Sequence, residues 1–87
     1  MKIKRKVDKW GNIMFVNEHK KFHREDGPAL ILLNGTKEFR QNGLLHRTDG
    51  PAIEYSNGAK IWYIEGKHIL VKTQEEFERY MRLIIFR

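Results

Sequence analysis

The chain has 87 residues, 17 Lys and Arg against 11 Asp and Glu for a formal charge of +6, 40% hydrophobic content and no cysteine. That length allows one domain with a thin core of sheet plus helix and excludes a deep enclosed pocket. Lack of cysteine excludes a disulfide framework and a thiolate metal site. No apolar run approaches the roughly 18 residues of a membrane span, so a soluble, cytoplasmic protein without a signal peptide is expected.

The basic excess starts early, at Lys2, Lys4, Arg5, Lys6 and Lys9. Strand alternation would send Lys2, Lys4 and Lys6 to one face, opposite Ile3, Arg5 and Val7. Such a stripe is either a phosphate-facing patch or an edge strand loaded with lysine against edge-to-edge pairing. The second is preferred, because no exposed aromatics interleave with the charges.

Further along, His23-Arg24-Glu25-Asp26-Gly27-Pro28-Ala29 returns after 23 residues as His46-Arg47-Thr48-Asp49-Gly50-Pro51-Ala52, with Thr48 in place of Glu25. At the same spacing Asn34-Gly35 falls on Asn57-Gly58, Phe39 on Trp62, Gly43 on Gly66 and Leu30 on Ile53. One period earlier Gly11-Asn12 takes the turn, with Val7 and Val16 at the Leu30 and Phe39 positions. A fixed period marks one supersecondary unit stacked on copies of itself, with degraded copies at the ends.

Each copy reads as a hairpin. Asn-Gly suits a two-residue type I′ turn and Gly11-Asn12 a type II′ turn. Leu33 then pairs with Thr36, and Leu30/Phe39, Ile53/Trp62 and Val7/Val16 become couples on one face. A second turn at Asn42-Gly43, and again at Glu65-Gly66, brings Leu45 opposite Arg40 and His46 opposite Phe39. Asp-Gly-Pro turns the chain once more. The unit is a short antiparallel meander.

After Lys72 the period changes. Thr73-Gln74-Glu75-Glu76 is a capping box, with Glu75, Glu76 and Glu78 early and Arg79, Arg82 and Arg87 late, as the helix dipole favours. Phe77, Tyr80, Met81, Ile84 and Ile85 form one apolar stripe. This predicts a helix over 73–86 lying across Phe39, Ile53 and Trp62. Leu83 and Phe86 fall off the stripe and offer a small surface for a partner or a second copy. The expected organisation is one mostly β domain, 1–87, of antiparallel meander repeats with the helix packed on the sheet. Its parts are a degenerate first repeat at 1–22 and repeats at 23–45 and 46–70.

Chemistry would have to use His23, Arg24 and Asp26, or His46, Arg47 and Asp49. No Ser, Cys or Thr recurs in register as a nucleophile. Equivalent positions two or three strands apart lie roughly 10–14 Å from each other, too far to share a metal, and one copy supplies only His and Asp. The expectation is therefore no enzyme, no catalytic residue, no metal and no cofactor. Structural roles fit better: Asp26 and Asp49 fix the turn, Arg24 and Arg47 pair with them, and Ile69 in the slot of His46 marks a packing position. His19 and His68, outside the repeat, are expected at the surface. The face opposite the Phe39/Trp62 couple is the expected binding surface. Its contact residues would be Phe15, Ile31, Ile61 and Tyr63, rimmed by Lys4, Arg40 and Lys60, unless the helix or a homodimer partner covers it.

The order HRxDGPA, strand, Asn-Gly, aromatic, Gly resembles the MORN-like variant repeat proteins, above all the small HRxDGPA-repeat proteins of tailed phages and large DNA viruses. In those a WxxxGK segment runs into an acidic TxEEF helix. Trp62 to Lys67 and Thr73 to Phe77 match it here, and the likeness spans about residues 10–80. The first copy departs from the pattern, with His19-Lys20 in place of Asn-Gly. The resemblance implies a viral origin and a binding or adaptor role, for example occlusion of a host defence protein. The alternative is a nucleic-acid-binding module using Lys2, Lys4, Arg5, Lys6 and Lys9.

Overall fold

A computed structural model describes residues 2–85, and Phe86 and Arg87 lie outside them. The chain runs β1 (Lys4–Val7), β2 (Ile13–Val16), β3 (Leu30–Ile31), β4 (Lys37–Glu38), β5 (Arg40–Gln41), β6 (Leu44–Leu45), β7 (Ile53–Glu54), β8 (Lys60–Ile64), β9 (Lys67–Ile69) and α1 (Gln74–Ile85). Seven strands form one antiparallel sheet in the order β1-β2-β3-β4-β7-β8-β9, and β5 and β6 pair apart as a two-stranded hairpin. The slab is 18 Å in its thinnest dimension. No helix among the described residues is long and apolar enough to cross a membrane.

The first turns are not the expected two-residue loops. Asp8 N–H donates to Asn12 O, Leu32 N–H to Thr36 O and Tyr55 N–H to Ala59 O, so each loop holds three residues. Its last member is a glycine with φ of 91–96°, which fits a type I turn closed by a left-handed bulge residue. The couples shift accordingly: Leu30 faces Glu38 and Ile53 faces Ile61, one residue from prediction, and Val7 faces Ile13, three residues away. Three of the expected couples, Val7/Val16, Leu30/Phe39 and Ile53/Trp62, therefore do not form.

The second turns follow the expectation. Arg40 lies opposite Leu45, and His46 N–H donates to Phe39 O. Asn42-Gly43 and Glu65-Gly66 both take positive φ at two successive residues, as type I′ requires. In the first copy this turn carries one more residue. Asn17 N–H donates to Lys21 O, and Lys20 holds the left-handed position at φ 62°. His23 N–H donates to Phe15 O, the bond His46 makes to Phe39. Phe15, not Val16, is thus the counterpart of Phe39.

One row crosses the whole sheet. Phe15 N–H donates to Ala29 O, Ala29 to Glu38 O, Phe39 to Ala52 O and Ala52 to Ile61 O, and Trp62 pairs with Ile69. Large and small side chains alternate along it, with Ala29 and Ala52 fully buried between aromatics. Over its far end lies α1, where Trp62, Ile69 and Phe77 form the buried cluster, flanked by Ile64, Val71, Tyr80 and Met81. The Trp62 and Phe77 rings are 6.3 Å apart, and Trp62 Nε1–H donates to Gln74 Oε1 at 2.9 Å. The capping box forms: Glu76 N–H donates to Thr73 Oγ1, and Glu76 Oε1 accepts from the N–H of Lys72 and Thr73. The helix does not reach the rest of its expected bed. Phe39 is covered by an arginine, and register places Ile53 on the opposite face beside Ile61.

Phe77 is the largest fully buried side chain. Phe77→Ala should cost about 3–5 kcal/mol, a large share of the stability of a domain this small. Urea denaturation should show the midpoint falling, whereas Leu83→Ala on the exposed side should leave it nearly unchanged.

Candidate functional site

Both copies of the heptapeptide build the same loop. The Arg24 guanidinium lies 4.0 Å over the Phe15 ring, and that of Arg47 lies 3.8 Å over Phe39. Each Nε–H donates to the motif aspartate, Asp26 at 3.0 Å and Asp49 at 2.9 Å. Each Nη1 donates to the proline carbonyl, Pro28 at 3.2 Å and Pro51 at 3.1 Å. On the other side of the guanidinium sits glycine. A Cβ on Gly27 would stand 2.9 Å from Arg24 Cζ, and one on Gly50 3.0 Å from Arg47 Cζ. Neither glycine has a positive φ, so the arginine, and not the turn, demands it. Arg47 also pairs with Glu54 at 3.0 Å, a position that Ile31 fills one copy earlier.

The histidines tie each copy to the next. His23 Nδ1 accepts the Asn42 N–H at 3.0 Å, and His46 Nδ1 accepts the Glu65 N–H at 2.9 Å. Both donors belong to left-handed residues of the following type I′ turn. The adjacent glycine N–H is held by the preceding copy too: Gly43 donates to Phe22 O and Gly66 to Leu45 O. An imidazole that accepts at Nδ1 carries its proton on Nε2. His23 is buried at 3% exposure, and its Nε2 has no hydrogen-bond partner, with Glu25 Oε1 3.6 Å away.

Between the two loops lies a groove of about 310 Å³ lined by Arg24, Asp26, Phe39, Gln41, His46 and Arg47. Its arginines and aspartates are engaged with each other, and its histidine is a backbone acceptor. Among the described residues no three His, Asp, Glu or Cys side chains converge as metal ligands would.

The expected contact residues do not share one surface. Register puts Phe15 and Ile31 on the Trp62 face, because Ile13, Ile31, Lys37, Glu54 and Lys60 stand opposite one another in turn. Ile61 and Tyr63 are on the other face, and Tyr63 stacks on His68 at 5.2 Å. Phe15 is half-buried, with the Arg24 guanidinium 4.0 Å over its ring. Of the rim, Lys4 is on the face opposite Lys60, and Arg40 is tied to Glu38 at 2.8 Å and to Gly43 O at 2.7 Å. Lys2, Lys4, Arg5, Lys6 and Lys9 are all exposed, as expected of an edge strand.

What the sequence reading missed is the tip edge. Trp10 is 65% exposed, Leu33 75% and Val7 53%. The tips are laced together: Asn12 Oδ1 accepts the Leu33 N–H at 2.8 Å, and Thr36 Oγ1 accepts the Ser56 N–H at 3.2 Å. A Cβ on Gly11 would meet Leu33 Cδ1 at 3.3 Å, so the first two tips touch. Trp10 and Leu33 are loop residues, and loops run over the surface; reading Gly11 and Gly35 as the last residues of three-residue loops would have placed both there. That was the available signal. Asp8 anchors the first tip, with Trp10 N–H, Asn12 N–H and Asn12 Nδ2 all donating to its carboxylate.

No family model, curated protein or solved structure matches the chain.

Two outcomes follow from these contacts. His46→Ala should speed hydrogen exchange at the Glu65 amide and leave the Asn42 amide, which His23 holds, as it is. The cost should be about 0.5–1.5 kcal/mol, that of one net hydrogen bond, because the exposed Glu65 N–H turns to water when the imidazole is removed. Asp8 has its pKa held below 3.8, chiefly by the Asn12 side-chain hydrogen bond. A depressed carboxylate stabilises the fold above its unfolded pKa, and that contribution is lost as pH falls through the folded one. Carboxyl NMR should place the Asp8 midpoint below 3.8, and Asn12→Ala should raise it.

Proposed function

We propose that the chain is a small non-enzymatic protein-binding module that acts by covering a surface of a host protein in the cytoplasm. The observation that carries this reading is the apolar tip edge of Val7, Trp10 and Leu33. A large exposed tryptophan and leucine on a laced, rigid edge cost solubility in isolation and suit burial against a partner. The viral origin implied by the HRxDGPA resemblance makes the partner a host protein, for example a component of a defence system. The repeated loops support the reading indirectly, since Arg24, Asp26, Arg47, Asp49 and the Nδ1 atoms of His23 and His46 are all engaged in holding the fold.

A second reading, a nucleic-acid-binding module using Lys2, Lys4, Arg5, Lys6 and Lys9, draws on one contact: Lys9 Nζ lies 4.6 Å over the Trp10 ring. One exposed aromatic among cations is less than the row of stacking platforms that single strands use.

Affinity capture from host lysate with mass spectrometry tests the main reading. A stoichiometric protein should be retained, and Trp10→Ser with Leu33→Ser should weaken its binding by roughly 30-fold or more, as loss of a hot spot of about 2 kcal/mol does. Lys4→Glu with Lys6→Glu should weaken the capture without abolishing it, because the tips still engage the protein. Recovery of nucleic acid alone, lost in the lysine variant, overturns it.

A further inference from the structure

β1 is one of the two edges of the sheet, with β2 as its sole neighbour. Hydrogen bonding in an antiparallel pair alternates. The Asp8 N–H bonds to Asn12 O, and the Phe15 N–H and C=O bond away from β1, to Ala29 and His23. Lys6 and Lys4 therefore turn their backbone groups toward β2. Arg5 and Val7 turn theirs outward, two donors and two acceptors in the plane of the sheet.

The charge on this edge is as distinctive as its backbone. Among the described residues, the ion pairs engage Arg24, Arg40 and Arg47, besides His19 and His23, and none involves Lys2, Lys4, Arg5, Lys6 or Lys9. Lys4 and Lys6 share one face, while Ile3, Arg5 and Val7 share the other. A second copy of this chain placed edge to edge would set lysine against lysine, which is how native sheets block self-pairing. The same lysines favour a strand of opposite charge, so one feature excludes the wrong partner and attracts the right one.

We infer that β1 is a docking strand for an extended acidic segment of a protein partner, which adds to the sheet as an eighth strand. Its acidic side chains stand opposite Lys4 and Lys6, and its apolar ones lie beside Ile3 and Val7. Backbone pairing gives affinity and the alternate side chains give selectivity. A deoxyribose–phosphate backbone offers acceptors to the lysines and the outward N–H groups but no donor for the Arg5 and Val7 carbonyls. β1 ends at Val7 and the chain runs from there directly into the Trp10 tip, so one partner meets both the docking strand and the tip. The inference rests on the protein-binding reading and narrows it.

A synthetic peptide of alternating Glu and Val is the probe, with NMR and calorimetry on the full chain. It should shift and protect the Arg5 and Val7 amides, bind more weakly as salt rises, and lose binding on Lys4→Glu with Lys6→Glu. N-methylation of the peptide at every second residue should abolish binding in one frame and spare it in the other. The Trp10→Ser, Leu33→Ser chain should bind the peptide as the parent does, which separates this edge from the tip surface. Equal loss in both methylation frames, unshifted Arg5 and Val7 amides, or tight binding of oligothymidylate in place of the peptide would each overturn strand addition. Retained capture of a host protein alongside such a result would leave the module reading standing.

Discussion

The structure depends on one layered contact, a guanidinium held between an aromatic ring and a glycine. Arg47 lies on Phe39, Gly50 leaves room for it, Asp49 and the Pro51 carbonyl fix its rotation, and Ala52 fits beside Phe39 in the ladder. Six of the seven motif positions thus serve one arrangement, His46 doing so by clamping the next turn. Thr48, the one that does not, is also the one that differs between copies, where Glu25 stands in the first. A lysine could not replace the arginine, because only a flat fork stacks on a ring while donating in its own plane.

The layering solves a problem of thickness. In a chain only 18 Å across its thinnest dimension, the seven-stranded sheet has no second large sheet to close its apolar face. The motif loops act as that cover, one aromatic at a time: Arg24 on Phe15, Arg47 on Phe39. At Trp62 the series ends. Ile69 takes the place of the histidine, the arginine position becomes the exposed Leu70, and Phe77 of α1 supplies the lid. Gln74 marks the substitution by bonding both Trp62 Nε1 and the Asp49 carbonyl. The helix is a terminal cap standing where another motif loop would go.

Architecture was legible in the sequence to the extent that residues had a single use. The capping box could only start a helix, and Glu65-Gly66 and Asn42-Gly43 sat where a tight turn brought His46 opposite Phe39. Asn34-Gly35 was ambiguous, because Asn-Gly also suits the end of a three-residue loop, with only glycine left-handed. Choosing the shorter loop moved the register by one, and a one-residue slip exchanges the faces of a strand. That error split the expected contact set, sending Phe15 and Ile31 to one side and Ile61 and Tyr63 to the other. In the first copy an extra residue at Glu18-His19-Lys20 displaced Phe15 from its true alignment with Phe39. Asn17 makes that longer turn possible by accepting from His19 and Lys21 with its side chain.

The two ends of the sheet are therefore unlike for physical reasons. At β9 the last aromatic needs a lid, and the chain supplies one from its own helix. At β1 the first aromatic is already covered by Arg24 from within the sheet, so nothing in the packing calls for a cap there. What the fold leaves at that end is a backbone edge, and an edge must be charged, covered or paired. Paired arginines build the interior layers, while at this edge Lys4, Arg5 and Lys6 make no ion pair among the described residues. A fold that repeats by lending each loop to its neighbour leaves its first strand and the apolar tips of its first two hairpins as the surfaces that no loop of the described residues covers.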